Sequence, residues 1–318
     1  MEIISGHTQG SIEKASEALK NGSLVAFPTE TVYGIGADAT NKDAVGRIYS
    51  VKGRPEDHPL IVHISSVSMI EKWARDIPDY AKKLAEEFWP GPMTLILKRS
   101  NLAKNFITGK QHNVGLRIPN QSVALKLLTQ FEKIGGLGIA APSANRFGAV
   151  SPTTTEAVMD ELGNFLQYED LIIDGGQCSI GLESTIIDCT KTSPTILRPG
   201  AISLGMVEDL TGFKTNISGK KIGIRTSGSL GSHYSPNAEI FLNRLAAPGE
   251  GFIALANIPT PKGAIRLASP VDIVEYAKSL YIALRCGDKK GLKQIAIVPP
   301  DGNGLALAIR DRISKAAG

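Results

Sequence analysis

Short apolar runs rich in Ile, Leu and Val recur up to about residue 203 and alternate with helical patterns. The runs "SLVAF", "PLIVHI", "MTLILK", "NVGLRI", "LGIAA", "LIIDGG", "STIIDCT" and "TILRP" have the length and composition of buried strands. Segments such as "SIEKASEALKN", "KDAVGRIYSVK" and "TEAVMDEL" read as helices, and Thr153 with Glu156 forms a candidate capping box for the last of them. Because the alternation is irregular, it predicts an α/β fold with a twisted mixed sheet rather than a doubly wound one.

A second unit follows a stretch without helix or strand periodicity. That stretch, "TSGSLGSHYSPN" at residues 226 to 237, is typical of a linker or mobile loop. Beyond it, "AEIFL", "FIALANI" and "QIAIVPP" resemble strands, and "PVDIVEYAKSLYIALRC" and "GLALAIRDRISKAA" resemble helices. A chain of 318 residues exceeds the usual size of one core. We therefore expect a first domain over residues 1–205, a linker over 206–237 and a small Rossmann-like α/β domain over 238–318.

The composition is that of an ordinary soluble globular protein, with 42% apolar and 21% charged residues. The net charge of +4 fits a phosphate-bearing ligand or nucleic acid, and equally an unremarkable surface. The 3 cysteines include no C-x-x-C pair, so neither a disulfide framework nor a zinc site is expected. The N-terminus lacks the pattern of a signal peptide, and no apolar run approaches the length of a membrane span. These features predict a cytoplasmic location.

Two cations lie between prolines in "VKGRPEDHPLIVHI", residues 51 to 64. Pro55 and Pro59 disfavour helix, so the sequence predicts extended backbone here. Residues two apart in an extended chain point to one side, which would bring Lys52 and Arg54 to one spot. Paired cations suit a polyphosphate, and a solvated surface loop is the alternative interpretation.

Arg117 in "NVGLRIP" places a charge inside an apolar strand. Such a charge is costly unless it is paired, so we expect either a structural carboxylate or the carboxylate of a ligand as its partner. His63 in "LIVHI" is a core residue or a ligand-binding residue on the same reasoning.

Small polar or basic residues also follow or precede several predicted strands. Each of these residues could be there only because it favours a turn. Together they predict a ligand site at the strand ends, where ligands of open α/β sheets gather. They occur in "PTETVYG", "APSANRFGAVSPT", "GLESTIIDC" and "ILRPG" and comprise Thr29, Ser143, Asn145, Gly148, Ser151, Ser184, Thr185 and Arg198.

These motifs stand in the order and spacing of the YrdC family. "GSLVAFPTETVYGIGADA", "VKGRPEDHPLIVHI", "WPGPMTLIL", "VGLRIP", "APSANRFGAVSPT", "LIIDGG", "GLESTIIDC" and "ILRPGAIS" carry the resemblance, which spans nearly the whole chain. The tail "HYSPNAEIFL" is similar to the longer, two-domain members, which are threonylcarbamoyl-AMP synthases. The resemblance implies a twisted sheet with flanking helices around a basic cleft. It also implies a reaction in which threonine, bicarbonate and ATP give threonylcarbamoyl-AMP and pyrophosphate for the modification of tRNA.

The resemblance also implies roles for individual residues. Lys52 and Arg54 would be the catalytic cations, and Mg²⁺ would be held mainly by the triphosphate and water. Threonine would be held by Thr29, His63, Arg117, the backbone of Ala141, and Ser184. ATP would be held by Lys52, Arg54, His58, Asn113, Ser143, Ser151 and Arg198, with Asn145 shaping a turn and Tyr234 reaching the nucleotide from the linker.

The linker departs from the family pattern, because Ser227 stands where the family has proline and its usual basic residues are missing. His233, Tyr234 and Pro236 match the pattern.

Expected partners are the small-molecule substrates and the downstream tRNA threonylcarbamoyl transferase machinery, with contact to tRNA or double-stranded RNA left open and no membrane. A nucleic-acid-binding module without catalysis is the competing interpretation, although aromatic residues make up 6% of the chain and form no stacking platform. A carbamoyl transferase of related fold would need further segments that this sequence lacks.

Overall fold

A mixed sheet of 11 strands forms the larger part of the protein. The computed structural model describes residues 1–218, 223–226 and 234–318. Parallel pairs such as β4 with β6 adjoin antiparallel pairs such as β5 with β6, in the order β1-β8-β2-β3-β7-β4-β6-β5-β9-β10-β11, so the predicted mixed sheet is confirmed. The strands are β1 (Glu2–Ser5), β2 (Val25–Phe27), β3 (Gly34–Asp38), β4 (Ile61–His63), β5 (Met93–Lys98), β6 (Asn113–Arg117), β7 (Ile139–Ala140), β8 (Leu171–Asp174), β9 (Thr185–Asp188), β10 (Thr195–Arg198) and β11 (Asn216–Ile217).

Helices cover both faces of this sheet. On one face, α1 and α6 pack on β2 and β8 through residues such as Leu19, Leu127 and Ile173. On the other face, a larger apolar cluster includes Ile48, Trp73 and Leu84. The helices of this part are α1 (Gln9–Lys20), α2 (Lys42–Lys52), α3 (Ile70–Trp73), α4 (Asp79–Phe88), α5 (Asn105–Thr108), α6 (Ser122–Lys133), α7 (Thr155–Leu162) and α8 (Leu204–Thr211).

A parallel sheet of 4 strands, in the order β12-β15-β13-β14, forms the small α/β unit that the sequence predicts. Its core also includes Val32, Val150 and Leu182, so the two units share one apolar cluster. Among the described residues, no helix is both long and apolar enough to cross a membrane. The elements of this unit are β12 (Glu239–Leu242), β13 (Gly251–Ile253), β14 (Ile265–Ala268), β15 (Gln294–Ile297), α9 (Ile273–Lys289) and α10 (Leu305–Ala317).

Two local predictions are wrong. Lys52 is the last residue of α2 rather than part of an extended segment, because a proline constrains itself and the residue before it, and Pro55 lies three positions further on. The helix ends at Gly53, whose left-handed backbone (φ 61°) needs no Cβ and forms the C-cap. The helix α7 is capped by Thr154, whose hydroxyl accepts from the Ala157 amide, and not by the predicted capping box of Thr153.

The segment predicted as a linker begins with structure that belongs to the large sheet. The helix α8 packs against α4, and β11 pairs with β10. Further along, Gln111 and Arg225 exchange hydrogen bonds between the Gln111 side chain and the Arg225 backbone, at 2.9 Å and 2.8 Å. Ser227 and His233 lie outside the described residues.

Candidate functional site

A pocket opens where β4 and β6 end side by side. His63 and Arg117, the last residues of these parallel strands, are Cα partners in the ladder. Residues that follow β2 and β7, the last residue of β10 and residues that precede β9 complete the walls, so polar residues gather at strand ends in this fold. The empty volume is about 540 Å³, part of it open to solvent. The lining consists of Thr29, Val32, Tyr33, Gly34, Arg54, Ile61, His63, Arg117, Ala141, Pro142, Ser143, Glu183, Ser184, Arg198 and Tyr234.

Three arginines, Arg54, Arg117 and Arg198, line this pocket, and each is nearly buried. Burial lowers the pKa of Arg54 to about 10, against the opposing effects of Tyr49 and Tyr234, so its guanidinium is charged at neutral pH. Arg198 donates from Nε and Nη2 to the Ser184 carbonyl, at 3.1 Å and 2.9 Å. Concentrated positive charge in a pocket with low-dielectric walls favours an anionic ligand.

Arg117 has a structural partner in Glu30, with Nη2 lying 2.8 Å from Glu30 Oε1. The same nitrogen donates to Thr31 Oγ1 at 2.9 Å. The Arg117 Nε is buried and donates to no acceptor among the described residues. Of the two partners that the sequence leaves open, the structural carboxylate is therefore present, and one donor of the guanidinium has no acceptor among the described residues.

His63 lies in the same wall and is almost fully buried. Burial and then the neighbouring Arg117 cation lower the pKa of His63 to about 3. The imidazole is therefore neutral at physiological pH, and it can donate or accept one hydrogen bond without adding charge to the pocket.

Small hydroxyl groups also line the pocket. Thr29 Oγ1 donates to the Val32 carbonyl at 2.6 Å and accepts from the amides of Thr31 and Val32, so this hydroxyl first of all closes a turn. Ser184 Oγ lies 2.8 Å from Thr94 Oγ1 on the adjacent strand. Both hydroxyls therefore have fixed positions, which suits a small, hydroxylated ligand.

Lys52 lies behind the pocket wall and is not part of its lining. Its Nζ donates to the Ser143 carbonyl at 2.6 Å and also to the Asn145 carbonyl. Burial is the main cause that lowers the pKa of Lys52 well below its usual value. The ammonium group therefore holds the Ser143 to Asn145 turn, whose first residue faces the pocket.

Four other predicted site residues lie outside the lining of this pocket. His58 packs edge-on against Phe147 with ring centroids 5.3 Å apart. Asn145 Nδ2 donates to the carbonyls of Arg146 and Ala149, which closes the predicted turn. Asn113 lines a neighbouring pocket that shares Ile61 with the first one. Ser151 is fully buried and donates to Glu183 Oε1 at 2.6 Å.

Glu183 is the main lining residue that the sequence did not reveal. It directly precedes Ser184 in "GLEST", yet nothing in that motif indicates which groups neutralise its charge. In the fold its carboxylate accepts from Ser151, from Tyr281 on α9 and from Arg312 on α10. Burial would raise the pKa of Glu183, but the cations Arg312 and Arg198 outweigh it and lower that pKa to about 2.

No group of three or more His, Cys, Asp or Glu side chains that could hold a metal ion occurs within residues 1–218, 223–226 and 234–318. Among the described lining residues the carboxylate is Glu183, and both of its oxygens accept hydrogen bonds from the protein. Cys178, Cys189 and Cys286 are free thiols.

Family profiles match nearly the whole chain. The Sua5, YciO and YrdC profile, described as telomere recombination, matches residues 17–200, and the profile of the threonylcarbamoyl-AMP synthase C-terminal domain matches residues 202–318. The threonylcarbamoyl-AMP synthase of Pyrococcus abyssi is 38% identical, with 96% of this chain and 94% of the relative covered. The Bacillus subtilis enzyme of that name is 35% identical, with 96% and 93% covered.

A solved structure agrees with these sequence comparisons. The crystal structure of P. abyssi Sua5 complexed with L-threonine superposes with a TM-score of 0.88 at 35% identity, over 100% of this chain and 97% of that one. The match includes both units, and the predicted resemblance is confirmed. The chain belongs to the Sua5, YciO and YrdC family.

Proposed function

We propose that this chain is an L-threonylcarbamoyladenylate synthase, a nucleotidyltransferase that makes threonylcarbamoyl-AMP and pyrophosphate from L-threonine, bicarbonate and ATP. One observation carries the proposal: buried arginines and small hydroxyls share one pocket, in a chain similar over its whole length to synthases of this name. The related P. abyssi protein binds L-threonine in its crystal structure. An anionic nucleotide and a small hydroxylated amino acid are the ligands that such a pocket suits.

In the threonine half of the site, Arg117 would receive the amino-acid carboxylate. Its unengaged Nε supports this role, because a carboxylate would supply the missing acceptor. The neutral His63 and the fixed hydroxyls of Thr29 and Ser184 would contact the polar groups of threonine, together with the backbone of Ala141. All of these residues line the pocket.

In the nucleotide half, Arg54 and Arg198 would bind the phosphates, with Ser143 and Tyr234 beside them. Lys52 and Asn145 would support this half through the turn that they hold. We keep Arg54 as the proposed catalytic cation, with Lys52 acting through that turn, and His58, Asn113 and Ser151 as ATP-binding residues that lie behind or next to the lining. Mg²⁺ would arrive bound to the triphosphate, because the Glu183 carboxylate is already engaged.

The reaction needs alignment and charge stabilisation more than covalent help from the protein. Bicarbonate supplies carbon dioxide and leaves hydroxide. The threonine amine takes up the carbon dioxide to give a carbamate, and the proton that it loses combines with the hydroxide to form water. A carbamate oxygen then attacks the α-phosphorus of ATP, and the bond to the β-phosphate oxygen breaks as pyrophosphate leaves. The arginines would stabilise the charge that builds up on the phosphoryl oxygens during this displacement.

The wider setting belongs to the same proposal. The product would serve threonylcarbamoyl-adenosine modification of tRNA in the cytoplasm, through a transferase that accepts the mixed anhydride. The chain would act as a catalytic domain over residues 1–205, a linker over 206–237 and a small α/β domain over 238–318. Because β11 pairs with the large sheet, we propose that residues 206–217 of this predicted linker belong to the catalytic domain and that the connecting part begins beyond residue 217.

Mass spectrometry of a reaction mixture tests the proposal. Protein, ATP, Mg²⁺, L-threonine and bicarbonate should yield threonylcarbamoyl-AMP and pyrophosphate, and omission of threonine should abolish both. Arg198→Met should reduce product formation by at least tenfold, since charge-assisted contacts are worth about 1.5–3 kcal/mol each. If no threonine-dependent product forms while the protein retards tRNA in a gel, the nucleic-acid-binding interpretation is correct instead.

A further inference from the structure

The small C-terminal unit reaches the pocket wall through two side chains. Tyr281, near the middle of α9, donates its hydroxyl to Glu183 Oε2 at 3.0 Å. Arg312 on α10 donates from Nε to the same oxygen at 2.8 Å and from Nη2 to the Pro199 carbonyl at 3.0 Å. Both side chains are fully buried, so these contacts are shielded from water.

The same two side chains also contact Tyr234. The rings of Tyr234 and Tyr281 stack with centroids 5.7 Å apart and planes 25° apart. The Arg312 guanidinium lies 5.5 Å from the centroid of the Tyr234 ring. Tyr234 has a left-handed backbone (φ 64°), which a bulky residue adopts only when its surroundings hold it. The stack and the guanidinium are the surroundings that hold the ring where it lines the pocket.

Glu183 links these two side chains to Ser151, because its other oxygen, Oε1, accepts a hydrogen bond from Ser151 at 2.6 Å. A buried carboxylate is stable only while its partners remain, so Glu183 keeps its place through Tyr281 and Arg312. The position of one stretch of pocket wall therefore depends on the fold of the C-terminal unit.

We propose that Tyr281 and Arg312 are positioning residues for the nucleotide half of the pocket, acting through Glu183 and Tyr234. This inference rests on the proposed function, and it assigns the C-terminal unit a specific contribution to ATP binding. Neither residue lines the pocket, so their effect is indirect and selective. Threonine binding, proposed mainly on the side of Arg117 and His63, should change less, because, of its proposed contacts, only Ser184 directly follows Glu183.

A pair of tyrosine variants on one helix tests the inference. Tyr281→Phe removes the hydroxyl bonded to Glu183 and keeps the ring stacked on Tyr234. Tyr276→Phe is the matched control, because Tyr276 is equally buried on α9 and donates its hydroxyl at 3.1 Å to the Val298 carbonyl within the small unit. Both variants lose one buried hydrogen bond, but Tyr281→Phe alone loses one that reaches the pocket wall.

We expect Tyr281→Phe to raise the KM for ATP by about three- to tenfold, a part of the effect of a direct hydrogen bond to a charged group, and to raise the KM for threonine less. Tyr276→Phe should change neither KM. Arg312→Met should raise the KM for ATP more strongly, and Arg312→Lys should restore part of the loss, since it returns the charge without the planar donors. An unchanged KM for ATP in Tyr281→Phe, or equal changes for both substrates, would overturn the inference.

Calorimetry with Mg²⁺ and a non-hydrolysable ATP analogue separates this inference from the proposed function. If wild-type protein makes no threonylcarbamoyl-AMP, the proposed function fails, yet a weaker analogue affinity in Tyr281→Phe than in Tyr276→Phe still supports the positioning role. Should the two variants bind the analogue equally, the positioning role is refuted whatever the activity. Urea unfolding of each variant keeps a loss of fold distinct from a loss of affinity.

Discussion

His63 should make the stability of the large-sheet part of the protein depend on pH. Burial and the Arg117 cation lower the pKa of His63 from 6.5 to about 3 in the folded protein. The unfolded chain therefore binds more protons than the folded one between these two pH values. The contribution of His63 is fully present above pH 6.5 and is lost as the pH falls toward 3.

The size of the effect follows from the difference between the pKa values of His63 in the unfolded and the folded protein. A single group changes the free energy of unfolding by at most about 1.4 kcal/mol per pH unit, and by half of that at pH 6.5, so lowering the pH from 6.5 to 5 should cost about 1.6 kcal/mol through His63. Replacement by a side chain that does not titrate should remove this part of the pH dependence. His63→Gln and His63→Leu both do so, although their stabilities at pH 7 will differ.

Urea unfolding at pH 7, 6 and 5 measures the effect, with tryptophan fluorescence as the signal. Trp73 and Trp89 are both buried in the large-sheet part, so the signal reports on the part that contains His63. The free energy of unfolding of both variants should fall less steeply with decreasing pH than that of the wild type, and carboxylates elsewhere cancel in the comparison. Parallel pH profiles for wild type and both variants would show that the folded protein accommodates a protonated His63.

Two further substitutions test the pocket itself. Arg117→Met should weaken threonine binding about 10- to 150-fold and leave binding of an ATP analogue nearly unchanged, as measured by calorimetry; equal losses would mean that the pair with Glu30 is purely structural. Lys52→Met should lower the free energy of unfolding by about 2–4 kcal/mol, because the carbonyls of Ser143 and Asn145 lose a buried donor, and it should slow pyrophosphate release at limiting ATP. Unchanged stability in urea together with slower release would instead indicate that Lys52 contacts the phosphates directly.

The sequence was informative wherever the signal is local. Apolar runs such as "MTLILK" and "NVGLRI" became β5 and β6, because short runs of β-branched and aliphatic residues favour buried strands. Glycine-rich "GIGAD" and the largely exposed "EIIS" gave no such signal, yet they form β3 and β1. Their strand conformation comes from pairing with other strands. The strand β1 pairs with β8, which is distant in sequence, and β3 pairs with the preceding β2 and with the distant β7.

By itself the sequence determined the α/β class and the two units, and it indicated Arg54, Arg117 and Arg198 as candidate site residues, all of which line the pocket. The class and the units follow from hydrophobic patterning, and Arg117 follows from a charge placed where a buried strand cannot keep it unpaired. Only the tertiary structure decided what each charge contacts. Glu183 and Arg312 are 129 positions apart and Lys52 is 91 positions from Ser143, and such contacts depend on how strands and helices pack rather than on any local pattern. The partner of a buried charge therefore depends on the whole fold, because desolvation lowers the stability of any fold in which a buried charged group has no partner.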